Sequence, residues 1–72
     1  MSTRDIIEQV FTEAFVEVKN DYQRTYVANV ATDVADMKML KRKPAEIRAR
    51  IQTAWPQHKN VDVVAKVIEA VR

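Results

Sequence analysis

The sequence predicts an all-α fold, a small bundle-like domain of four helices joined by short turns, and three observations predict it. The 72 residues contain no glycine. Tight hairpins and close backbone approaches draw on glycine for positive φ, so its absence argues against hairpin-rich architectures. Apolar residues recur at helical spacing along most of the chain. Pro44 and Pro56, with candidate caps at Ser2, Asn20 and Asn60, punctuate that pattern at intervals suited to short helices.

The first helix is expected over about residues 3–19. Ser2 and Asp5 have the spacing of a capping box, in which each side chain satisfies a free backbone N–H. Ile6, Ile7, Val10, Phe11, Ala14, Phe15 and Val18 share one face, and Asp5, Gln9, Thr12 and Glu13 line the other. Val16 projects into the polar face. Asn20-x-x-Gln23 reads as a second capping box, which breaks the chain there and starts a helix over 21–40; a single rod through Asn20 is the alternative. Tyr26, Val27, Val30, Ala31, Val34 and Met37 form its apolar stripe, while Met39 and Leu40 fall off it. Lys41-Arg42-Lys43-Pro44 marks the next boundary, because proline disfavours helix in the residue before it and suits a first turn. A third helix follows over 44–55, with Ile47, Ile51, Ala54 and Trp55 inward, and Pro56 stops it. Gln57-His58-Lys59 is a short connection. The fourth helix, 60–71, has Asn60 as N-cap and Asp62 suited to the positive end of its dipole.

Size and composition bound the function. Seventy-two residues make one domain, and a domain this small buries only about 60% of its unfolded surface. Such scaffolds recruit a disulfide, a metal or a partner copy. The chain has no cysteine and one histidine, His58, which excludes disulfides and thiolate metal sites. Phosphate-cradling, dinucleotide-binding and nucleophile-elbow motifs are excluded with glycine. Met1 to Asp5 with no long apolar run reads as neither a secretory signal nor a membrane span, so the simplest location is the cytoplasm. The carboxylate pairs Glu13/Glu17 and Asp33/Asp36 fall on solvent faces, where nothing raises a pKa, and His58 has no nucleophile to activate. No enzyme activity, metal, cofactor or small-molecule substrate is expected.

Charge is split along the chain. Residues 1–36 carry seven acids and three bases, a net of −4; residues 37–72 carry nine bases and three acids, a net of +6. Lys38, Lys41, Arg42, Lys43, Arg48 and Arg50 form a candidate site for an anionic partner, and phosphate contacts of this kind give affinity without sequence information. A solvated turn that keeps the protein dispersed is the plainer account of the same residues. As a helix-turn-helix the pattern is weak: the fourth helix offers Val, Ala and Ile to a groove, and Arg48, Arg50 and Gln52 of the third are better readers. Trp55, Tyr22 and Tyr26 read as core or core edge rather than base-stacking platforms.

The fourth helix carries an apolar surplus. Val61, Val64, Ala65, Ile68 and Val71 suffice for a core face. Val63, Val67 and Ala70 then make a second face, either an interface or a surface covered by the first two helices. The sequence therefore predicts a small interaction or regulatory protein that binds a partner protein and forms a homodimer. DNA or RNA binding through 38–59 is the alternative. Head-to-tail attraction between the charge poles of separate copies is a third possibility.

Overall fold

A computed structural model describes residues 2–15, 18–56 and 58–71. Among them the protein is all-α, with helices α1 (Thr3–Phe15), α2 (Asp21–Met39), α3 (Pro44–Ala54) and α4 (Val61–Ala70). The expectations for Val16, for Glu17 of the carboxylate pair and for Gln57 fall outside the described residues, as do Met1 and Arg72.

Each helix starts where a backbone N–H finds a local partner. At α1, Asp5 N–H donates to Ser2 Oγ at 3.2 Å. At α2, Gln23 N–H donates to Asn20 Oδ1 at 2.9 Å. Gln23 Oε1 reaches one residue further back than a capping box requires and accepts from Lys19 N–H at 2.6 Å. Lys19 is thereby already part of the entry into α2, so α1 is shorter than the predicted 3–19 and two separate helices replace the single rod. At α3, Glu46 Oε2 accepts from Lys43 N–H at 3.1 Å, and Pro44 occupies the first turn, where its missing N–H costs nothing. Asn60 departs from expectation. Its ψ of 6° leaves it in turn geometry with no side-chain cap bond, and its own N–H donates to His58 Nδ1 at 3.2 Å.

α2 ends in a Schellman motif built without glycine. Lys41 N–H donates to Lys38 O at 3.0 Å and Arg42 N–H to Met37 O at 3.0 Å. The motif requires a left-handed residue, and Lys41 supplies it at φ 58°. That conformation costs a residue with a Cβ about 1–2 kcal/mol.

The helices contact one another in a ring, α1 to α2 to α3 to α4 and back to α1. The core inside the ring is Ile7 and Phe11 of α1, Val27, Val30, Ala31 and Val34 of α2, Ile47 and Ile51 of α3, and Val61, Val64, Ala65 and Ile68 of α4. Nine of these twelve are Ile or Val, whose stiff χ1 leaves little rotamer freedom to lose on burial. The only leucine, Leu40, is 67% exposed. Tyr22 is not a core edge: it is 79% exposed. Five positions before Val27 at 100° per residue, it falls about 140° from the buried stripe of α2.

One end of the bundle is closed by aromatic rings. Trp55, just past α3, stacks on Phe15 with centroids 4.5 Å apart and lies 5.1 Å from Phe11 and 6.0 Å from Tyr26. His58 meets Phe15 edge-on at 4.6 Å. Tyr26 Oη donates to Ala54 O at 3.0 Å, which leaves its ring on the core and its hydroxyl at the rim.

Two stability measurements follow from this packing. Trp55→Ala is expected to cost about 3 kcal/mol, the low end for an aromatic truncation because Trp55 is half-buried. Urea unfolding followed by circular dichroism measures it, and a cost under about 1 kcal/mol would remove the ring cluster as the clasp. Lys41→Gly is expected to stabilise the protein by about 1 kcal/mol by relieving the left-handed strain; a loss of stability in the same assay contradicts that account.

Candidate interaction surfaces

The apolar surplus of α4 lies outside the core. At 100° per residue, Val63, Val67 and Ala70 fall within an arc of about 60°, opposite the buried Val61, Val64, Ala65 and Ile68. Val63 is 63% exposed and Val67 45% exposed, and Ala70 is exposed beside them. α4 packs against α1 and α3, not between α1 and α2 as the covered reading required, so neither neighbour reaches this stripe. Val71 is half-buried, at the edge between stripe and core.

The structure does not gather the six predicted cations on one surface. Arg48 and Arg50 stand two positions apart on α3, and residues at that spacing point to opposite flanks. Arg48 Nε donates to Asp62 Oδ1 of α4 at 2.5 Å, with a further bond to Gln52 Oε1 at 3.1 Å. Arg50 turns the other way and donates to Asp33 Oδ2 of α2 at 2.8 Å. Both therefore pin α3 to its neighbours. The groups are partly solvated, so each bridge contributes at most about 1 kcal/mol. Lys38 Nζ donates to Glu69 O at 3.3 Å, linking the ends of α2 and α4. Lys41, Arg42 and Lys43 remain together and exposed on the Schellman turn.

A third surface was not legible in the sequence. At the end of the bundle opposite the aromatic cluster, the start of α1, the end of α2, the start of α3 and the end of α4 surround an open groove of about 780 Å³. Its apolar lining includes Ala35, Met39, Ile47 and Val71, and its charged lining is mixed, with Arg4, Lys38 and Arg42 against Asp36 and Glu69. Such a surface can take an apolar side chain but selects neither sign of ligand strongly. Its residues are spread from position 2 to position 71, and nothing in a linear reading joins them.

Several of the carboxylates are committed to structure. Glu46 caps α3, Asp33 and Asp62 hold Arg50 and Arg48, and Glu8 pairs with Arg4, which also reaches Thr32 Oγ1 at 3.2 Å. Among the described residues no group of three or more His, Asp or Glu side chains is placed to hold a metal ion, and no described helix is long and apolar enough to cross a membrane.

Asp5 is held below its ordinary 3.8, first by a hydrogen bond from the Ser2 side chain, then by the Ser2 backbone and, more weakly, by Arg4. A lowered pKa in the folded state means that the ionised cap stabilises α1 above pH 3.8, and that this contribution is lost as pH falls through the lower folded value. Asp5→Asn is expected to flatten the fall of Tm on the acid side of pH 3.8. Superimposable acid limbs for the two proteins would show that the cap is not what titrates.

Compared with known proteins, the chain matches no protein family, no curated protein and no solved structure.

Proposed function

We propose that this chain is a small non-enzymatic interaction protein that acts by binding another protein through the outward face of α4. The observation that carries the reading is the exposed stripe of Val63, Val67 and Ala70 on a helix whose core face is already complete. Scattered single valines on a surface are ordinary, but a stripe at i, i+4 and i+7 has the spacing of a helix that docks in a groove or on another helix. Support for a non-catalytic role comes from Glu46, Asp33 and Asp62, which serve as a cap and as bridges between helices.

Nucleic-acid binding is the second reading, and one observation favours it. Lys41 occupies a strained left-handed position where glycine would be less costly, and the turn presents three adjacent cations. Against it, Arg48 and Arg50 are engaged by Asp62 and Asp33 on opposite flanks of α3, which leaves Lys41, Arg42 and Lys43 as a small electrostatic footprint.

A photo-crosslinking residue at position 63, compared with one at exposed position 24 on α2, is expected to capture protein from position 63 alone. In parallel, light scattering with a mixed DNA and RNA pool is expected to show no complex at moderate salt. A salt-sensitive complex that disappears in a Lys41→Gly, Arg42→Gln, Lys43→Gln variant would move the function to nucleic acid. Equal capture from both positions would remove α4 as the docking face.

A further inference from the structure

We propose that the turn ending α2 is a peripheral membrane-contact site, at which Met39 and Leu40 enter an anionic lipid surface while Lys41, Arg42 and Lys43 hold its headgroups. The site is on a different element from the α4 stripe and does not depend on what that stripe binds.

The first observation is where the turn puts each residue type. A Schellman motif is best served by glycine at its left-handed position and by an apolar residue one place further on, which packs back against the helix. Lys41 holds the first position at φ 58°, and Arg42 holds the second, with its N–H on Met37 O. The apolar residues of the segment stand outside instead. Met39 is 76% exposed and Leu40 67%, within a run from position 39 to 46 that is exposed throughout. Cations and apolar side chains are thus exchanged relative to what stabilises the turn. Cations at a helix C-terminus do suit its dipole. That accounts for no part of two large aliphatic side chains left in water beside them.

The second observation is charge. Positions 37 to 45 hold four cations and no acid. Lys38 is turned to Glu69 O. Among the described residues no carboxylate forms a salt bridge with Lys41, Arg42 or Lys43. The nearest acids along the chain are placed to interfere little: Glu46 is bound to Lys43 N–H, and Asp36 lies about 5 Å back along α2 from Met39. Because the turn is tight, its three cations stay beside Met39 and Leu40 rather than trailing away from them. Each Lys or Arg held close to an anionic bilayer raises partition about fivefold.

The combination selects a lipid surface over other anionic partners. Positions 38 to 43 hold no aromatic ring to stack on a base, and a phosphate backbone gives Met39 and Leu40 nothing to bury against. A protein groove reads side chains one or two turns apart on one helix face. Met39 and Leu40 are consecutive, about 100° apart around α2, and share no face. A bilayer interface has no fixed shape and takes both at once when α2 approaches it end-on. Shallow apolar insertion joined to electrostatic attraction is what holds peripheral segments at membranes. Two side chains are far less than a lipid anchor, so the contact is reversible.

Co-sedimentation of the full chain with phosphatidylcholine vesicles, with and without about 30% phosphatidylserine, tests this. The chain is expected to sediment with the anionic vesicles alone and to be released between about 0.1 M and 0.5 M salt. Met39→Ser combined with Leu40→Ser, which leaves the charge unchanged, should weaken partition at least tenfold. Lys41→Gly, Arg42→Gln and Lys43→Gln together should weaken it about a hundredfold. Tyr22→Ser, at the exposed other end of α2, and Val67→Asp on α4 should leave it unchanged. Circular dichroism confirms that each variant is folded. No binding to anionic vesicles overturns the proposal, as does equal binding to neutral ones. Binding indifferent to the Met39 and Leu40 substitutions would show that charge acts alone and would remove the insertion. Loss on Val67→Asp would move the lipid contact to α4. Tighter binding to a mixed DNA and RNA pool, lost in the triple cation variant and kept without Met39 and Leu40, would give the turn to nucleic acid.

Discussion

The stack of Trp55 on Phe15 is the contact on which the bundle's geometry depends. It lies where the chain has just left α3 and joins that point to α1, while Phe11, Tyr26 and His58 bring in the core, α2 and the turn before α4. Aromatic pairs at these separations contribute about 0.5–1.5 kcal/mol beyond their buried area. In a domain whose total stability is of the order of 4–11 kcal/mol, several such pairs at one end are a large share. They also hold the last turn of α3 at a fixed distance from α1, which sets the direction in which the chain enters α4.

The helices need that tertiary support. Their core is built from Ile and Val, which are weaker helix formers than Leu or Ala, and isolated helices of 10–19 residues are marginal in water even with better sequences. The caps at Ser2, Asn20 and Glu46 choose where three helices begin, but packing keeps them helical. Absence of glycine has its own consequence at Lys41, which takes the left-handed residue of the α2 terminus and so leaves the basic turn tight rather than extended.

Tertiary structure also redistributes the charge that dominates the linear reading. Asp33 of the first half meets Arg50 of the second, and Asp62 meets Arg48 within the second half, so part of the charge joins helices, while the Arg4–Glu8 pair lies within α1. What survives as a basic surface is the turn at Lys41 to Lys43. The apolar surplus of α4, by contrast, is left as the sequence pattern placed it, on the side away from the core.

The four helices, most of their boundaries and the core positions Ile7, Phe11, Val27, Ile51 and Ile68 were legible in the sequence, because periodicity, prolines and caps act through neighbours three or four positions apart. So was the stripe of Val63, Val67 and Ala70. Tyr22 was misplaced through its i, i+4 link to Tyr26 although its angle to Val27 puts it on the outer side. The end of α1 was misplaced because Gln23 acts on Lys19 rather than on Asn20. Only the tertiary structure decided which helices touch, that Arg48 and Arg50 bind on opposite flanks of α3, that Asn60 yields its capping role to a His58 turn, and that four helix ends enclose a groove. Apart from the local His58–Asn60 turn, those outcomes depend on residues 14 to 69 positions apart, whose proximity is set by how the helices pack and not by any local preference.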